Sequence, residues 1–150
     1  HTIAAKAVAL KEASTHAFKR YQRQVIDNAK ALAAVLADGE LRIVSGGTDT
    51  HMVLVDLTEM NISGKEAEES LGRSNIVINR NAIPFDRKPP REASGIRLGT
   101  SSITTRGMNV DSAQDLGKLI LRVLHNLGDT SVEAQVKNEV LELTSNYPIP

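Results

Sequence analysis

The chain has 150 residues, 41% hydrophobic and only 3% aromatic, long enough for one domain whose core is built from Ala, Val, Leu and Ile. Lys plus Arg and Asp plus Glu stand at 18 each, leaving no net charge at neutral pH, so the basic excess by which nucleic-acid binders neutralise phosphates is absent. No apolar run approaches the roughly 20 residues of a membrane span, and with no cysteine disulfides and thiolate metal sites are excluded; a cytoplasmic protein is expected.

The first forty residues are Ala-rich and free of proline, which favours helix. A break near Ser14-Thr15 predicts a shorter helix and then a long one. In the long one Val25, Ala29, Leu32 and Leu36 recur at helical spacing, and Asp38-Gly39 supplies the stop. The chain begins at His1 already helical in character, with no cap, which is expected of a cut in or near a helix of a longer protein.

Strand signals follow. Leu41 to Val44 is short, and Ser45-Gly46-Gly47-Thr48-Asp49 is a turn. Met52 to Leu57 is apolar on both faces, as a central, doubly covered strand would be. Ser63-Gly64-Lys65-Glu66 has the form of a capping box opening a helix through about Leu71, and Ile76-Val77-Ile78 reads as another buried strand. From Asn79 to Ser94 regular structure fails: Pro84, Pro89 and Pro90 mark a long loop. Gly95 to Gly99 then alternates as a strand.

The last third is helical again. Leu116, Leu119, Ile120, Val123, Leu124 and Leu127 form an amphipathic stripe ended by Gly128. Thr130-Ser131-Val132-Glu133 reads as a second capping box, and Val132, Val136, Val140 and Leu143 stripe the final helix. The expected fold class is α+β, a small and mostly antiparallel sheet with helices on one face.

Among single residues Arg97 stands out. Ile96 and Leu98 share one strand face, so Arg97 projects from the other, between two glycines that leave room for another molecule. Its guanidinium is a fork that can grip a carboxylate through two parallel hydrogen bonds; the ordinary alternative is a salt-bridge partner. The Asn79 to Asp86 loop offers amides to a heteroaromatic ring, although Asn is also a common turn former. Arg106 is expected to serve structural pairing. His1, His16, His51 and His125 lack any ligand spacing, so no metal site is expected.

Four segments carry a family resemblance. Val44-Ser45-Gly46-Gly47-Thr48-Asp49-Thr50-His51, Asn79-Arg80-Asn81-Ala82-Ile83-Pro84-Phe85-Asp86, and Ser94-Gly95-Ile96-Arg97-Leu98-Gly99-Thr100 with the following Thr104-Thr105-Arg106-Gly107 resemble, in order, segments of the serine hydroxymethyltransferases. The opening from His1 to Ala9 is similar to the helix after that family's G-G-P-L-M segment. The resemblance implies residues 1–150 to be the C-terminal small domain of a fold-type-I pyridoxal 5'-phosphate enzyme that interconverts serine and glycine with tetrahydrofolate. By motif, Arg97 matches the arginine that binds the substrate carboxylate and Asn81 a residue contacting the folate pteridine. Pro89, Pro90 and Arg91 occupy the place of a segment beside the folate.

Two departures stand out. Arg91 replaces a usual Phe, which suggests attraction to folate's glutamate tail, and Ser101-Ser102 replaces a usual Pro-Ala. The family's cofactor-bearing lysine, its pyridine-nitrogen aspartate and its ring-stacking histidine belong to segments upstream of His1. The resemblance therefore implies no catalytic residue in this stretch, no activity for it alone, and partnership with an N-terminal large domain in a homodimer or tetramer. A stand-alone binding or dimerisation module of the same fold is the alternative. Another fold-type-I enzyme, such as an aminotransferase or threonine aldolase, would have no reason to keep the Asn-rich proline loop.

Overall fold

The structure, a computed structural model, describes residues 1–149. Two helices open the chain, α1 (Thr2–Ala13) and α2 (His16–Asp38), with Thr15 capping the second by accepting from the Phe18 amide. The break falls where Ser14-Thr15 predicted it. A strand β1 (Arg42–Ile43), a 3-10 turn and strand β2 (Met52–Asp56) follow, then α3 (Gly64–Arg73), β3 (Asn79–Asn81) and β4 (Gly95–Gly99). The chain closes with α4 (Ser101–Thr105), α5 (Val110–His125) and α6 (Thr130–Ser145).

The four strands form one sheet in the order β1-β2-β4-β3, every neighbouring pair antiparallel. Because paired residues point the same way, the register Val53↔Leu98 and Val55↔Ile96 sends these four side chains to the helical side, where all are buried. There they meet the α2 stripe of Ala29, Leu32 and Leu36, Leu71 of α3, and Ile120, Val123 and Leu124 of α5. Core side chains of this size each contribute about 1.5–3 kcal/mol when fully buried. Helices α2 and α5 approach closely at Gly117, where a Cβ would lie 2.9 Å from Val35 Cγ1.

The other sheet face carries no helix, which corrects the reading of Met52 to Leu57 as doubly covered. Leu54 is half-buried and Met52 is 39% exposed. The apolar content of β2 arises because its bare face still carries two large apolar side chains.

The strand expected at Ile76-Val77-Ile78 is also displaced. Those residues are irregular, with Ile76 and Ile78 buried and Val77 exposed, and pairing starts only at Asn79. Burial there comes from the helices alongside and not from a ladder, and polar Asn79-Arg80-Asn81 pair because they form the sheet edge. The second capping box is different in kind. Asp129 caps α6, accepting from the Ser131 and Val132 amides, while Glu133 turns inward. Its carboxylate is buried and accepts from Ser70 Oγ at 2.6 Å and from the Arg73 Nε and Nη2 groups at 2.6 Å each, tying α6 to α3. The Ser63–Glu66 capping box of α3 is present as read.

Helix α1 buries none of its residues and leaves Ile3, Val8 and Leu10 exposed. None of the helices is long and apolar enough to cross a membrane, among the described residues.

Candidate functional site

The bare sheet face is where the sequence-derived residues gather. Arg97 lies mid-strand in β4, opposite Leu54 on one side and Asn79 on the other. It is exposed, and among the described residues no ion pair or side-chain hydrogen bond engages its guanidinium. The ordinary alternative, a salt-bridge partner, is thus not realised among the described residues. Asn81 sits opposite Gly95, one register step from Arg97 on the same face. Both line a hollow with Ser45, Gly47, Thr50, Met52 and Leu54. A fork-shaped cation beside small, polar and aliphatic walls is suited to a ligand with a carboxylate and a short side chain.

Strand β4 is held firmly enough to aim that fork. Just past its end Thr100 is buried and donates from Oγ1 to the Val25 carbonyl of α2 at 2.8 Å. Asn28 of α2, fully buried, donates to Thr104 Oγ1 and to the Met108 carbonyl, 2.9 Å each, and accepts from Gln24 Nε2 at 2.8 Å. A buried amide with its donors and acceptor engaged is stable, whereas an unmatched one costs about 1–3 kcal/mol. Ser101-Ser102 begins a short helical turn here, α4, which the sequence reading did not anticipate.

The 82–94 loop is organised by Asp86. Its Oδ2 accepts from the Ile83 amide at 3.2 Å and the Ser94 amide at 2.9 Å; its Oδ1 accepts from the Lys88 amide at 2.9 Å and Ser94 Oγ at 2.6 Å. Burial pushes this carboxyl up, but the Ser94 hydroxyl and the Lys88, Ser94 and Ile83 amides outweigh it and hold it at about 2. Pro89, Pro90 and Arg91 are all exposed on this loop and are not among the residues lining the Arg97 hollow. Arg91 has no ion-pair partner among the described residues.

Arg106 has the structural role expected of it, donating to the Tyr147 carbonyl at 2.6 Å and the Thr144 carbonyl at 3.0 Å at the end of α6. Thr50, Met52 and Leu54 were missed as residues lining the hollow; the pairing of β2 with β4 brings Leu54 beside Arg97, and the turn before β2 brings Thr50 there. Asp86 was noted only as part of a segment. A lone Asp among loop prolines gives no sign that Ser94, eight residues on, will be its partner. No group of three or more His, Cys, Asp or Glu residues is placed to hold a metal ion among the described residues.

An antiparallel sheet backed by helices on one side, with Arg97 unpaired among the described residues on the other, defines an α+β domain with an open polar hollow on its bare face. Comparison with known proteins gives the family. The profile described as Serine hydroxymethyltransferase matches residues 1–120. A serine hydroxymethyltransferase of Thiobacillus denitrificans is 51% identical over 149 residues, covering 99% of this chain and 36% of its own length. Serine hydroxymethyltransferase 2 of Pseudomonas savastanoi pv. phaseolicola and that of Pseudomonas syringae pv. syringae are each 47% identical with the same coverage. The chain belongs to the serine hydroxymethyltransferase family, and it spans about a third of the length of these curated relatives.

Proposed function

We propose that residues 1–150 are the C-terminal small domain of a pyridoxal-phosphate-dependent serine hydroxymethyltransferase, which interconverts serine and glycine with tetrahydrofolate carrying the one-carbon unit. The observation supporting this most directly is Arg97, an exposed and unengaged guanidinium beside Asn81 in one hollow. Arg97 binds the carboxylate of serine or glycine through both arms of its fork, which fixes the amino acid's rotation. Asn81 contacts the folate ring, and Pro89, Pro90 and Arg91 flank the folate.

Pyridoxal phosphate, when bound, supplies the electron sink for bond breaking at the amino acid's α-carbon. No lysine lines the Arg97 hollow, so the reading gives this chain a share in substrate binding and leaves the cofactor's attachment to an N-terminal large domain. The exposed apolar residues of α1 and the bare sheet face support docking on that domain, within a homodimer or tetramer. Large contiguous apolar surface is otherwise rare on a free-standing domain. A cytoplasmic location belongs to the same proposal.

Two measurements test the reading. An antibody against this domain should detect, in source cells, a product roughly three times its size, by ordinary domain arithmetic; a band at the chain's own size would favour the stand-alone module. In the full-length protein, Arg97→Lys should weaken glycine binding by about tenfold or more, because an ammonium keeps the charge but loses the fork. Unchanged glycine affinity would remove Arg97 from the site.

A further inference from the structure

We propose that Asp86 is a positioning residue: its carboxylate clasps the 82–94 loop onto the first residue before β4, and so sets the Ile83 to Lys88 stretch that links Asn81 to the Pro89 to Arg91 segment beside the second ligand. The inference rests on the functional reading above for the identity of that ligand, a reduced folate, but its structural half stands independently.

The geometry carries it. The β3 ladder ends at Asn81. From Ile83 to Lys88, among the described residues, the only hydrogen bonds reaching beyond the segment are made by Asp86 to Ser94. The later half of the loop is held separately, because the Gly64 and Lys65 amides at the start of α3 donate to the Ala93 and Glu92 carbonyls at 2.9 and 3.0 Å. The Glu92 and Ala93 amides also fold back onto the Pro89 carbonyl, 2.9 Å each. Asp86 therefore joins a half-loop with no other outward hydrogen bond to an anchored one. Its partner Ser94 is buried and lies three residues before Arg97 on the same strand run. The clasp fixes the spacing between the loop and the carboxylate-binding strand without either half touching Arg97.

The carboxylate is chemically required at this position. Each oxygen accepts from two donors, and at least one donor on each is a backbone N–H, which cannot turn round to accept. An amide in either orientation sets its own NH2 against at least one N–H. Asp86→Asn, which preserves shape, therefore breaks the clasp as thoroughly as truncation.

The test uses the full-length protein with Asp86→Asn, Ser94→Ala and Ser94→Thr. Limited trypsin digestion reads the clasp itself: cleavage after exposed Arg87 should quicken about tenfold in Asp86→Asn, and less in Ser94→Ala, as expected for loss of charge-assisted hydrogen bonds. Ser94→Thr keeps the hydroxyl and should restore wild-type digestion. Steady-state kinetics read the positioning role: KM for tetrahydrofolate should rise about tenfold in Asp86→Asn, with kcat and glycine affinity within about twofold. Equal losses of folate and glycine binding would overturn the positioning role in favour of general destabilisation, and so would faster digestion with an unchanged folate KM. Unchanged digestion would overturn the clasp. A wild-type protein without serine- and folate-dependent turnover would refute the proposed function, while the digestion result would still decide for or against the clasp.

Discussion

Replacing Gly64 with alanine sets two known effects against each other, and the structure decides which wins. Gly64 opens α3 and packs directly on β4. A methyl group there would stand 2.3 Å from the Gly95 carbonyl oxygen, 3.1 Å from Arg80 Cβ and 3.3 Å from the Glu92 carbonyl oxygen. Two of these are backbone atoms, so no side-chain rotation relieves the contact and the helix must move away from the sheet. Alanine in a helix gains at most about 0.5–1 kcal/mol over glycine. Forcing a methyl into a closed contact costs about 1–3 kcal/mol. Retreat of α3 also stretches the two bonds from its first amides to the Ala93 and Glu92 carbonyls, which hold the loop described above. The net expectation is a loss of about 1–2 kcal/mol. With a urea slope near 2 kcal/mol per molar for a domain of this size, the midpoint followed by far-UV circular dichroism falls by roughly 0.5–1 M. Gly72 provides the contrast, since it lies in the same helix with nothing within 4 Å of an added Cβ; Gly72→Ala should raise the midpoint. A raised or unchanged midpoint for Gly64→Ala would refute the argument that α3 seats on β4 through bare backbone.

Other expectations follow from single groups. The Arg73 guanidinium holds the Glu133 carboxyl below the ordinary glutamate range, against the effect of burial and with help from the Ser70 hydroxyl. A lowered folded-state value gives stability that is fully present above the unfolded value, 4.5, and lost as pH falls through the folded one. Glu133→Gln should therefore lower the urea midpoint at pH 7, with the gap to wild type narrowing below about pH 4.5; a gap independent of pH would contradict this. If Arg91 attracts folate's glutamate tail, Arg91→Phe in the full-length protein should weaken binding of a polyglutamylated folate more than that of a folate lacking the tail, and should reduce its salt dependence. Equal affinities would sink that role. Asn28→Leu should destabilise the chain by about 1–3 kcal/mol, because Thr104 Oγ1 and the Met108 carbonyl lose a buried donor; equilibrium unfolding measures it, and a neutral result would mean that water replaces the amide.

Much of this molecule can be read from local chemistry. Helix α2 with its Val25–Leu36 stripe, the Ser63–Glu66 cap, the Gly95–Gly99 strand and α5 all follow from periodicity or capping within a few residues, and the structure contains them. The same alternation puts Arg97 opposite Ile96 and Leu98, so its outward direction is a property of the sequence alone. The Asn79–Asp86 and Ser94–Thr100 segments resemble the serine hydroxymethyltransferases in residue order alone, so the family too is legible in the sequence.

What the sequence leaves open is every choice that depends on a distant partner. Two apolar runs, Met52 to Leu57 and Ile76 to Ile78, look alike as candidate strands. One pairs and the other does not, because the second is buried by helices while the ladder passes to polar Asn79-Arg80-Asn81 at the sheet edge. Glu133 sits where a capping carboxylate would, yet a buried serine and an arginine some sixty residues earlier draw it inward. Asp86 becomes a clasp only because Ser94 returns to it, and Leu54 joins the site only through its register with Arg97. Spacing along the chain determines direction and periodicity. Hydrogen-bond partners and the covered face of a sheet are settled by which segments meet in space, and that is decided by tertiary packing.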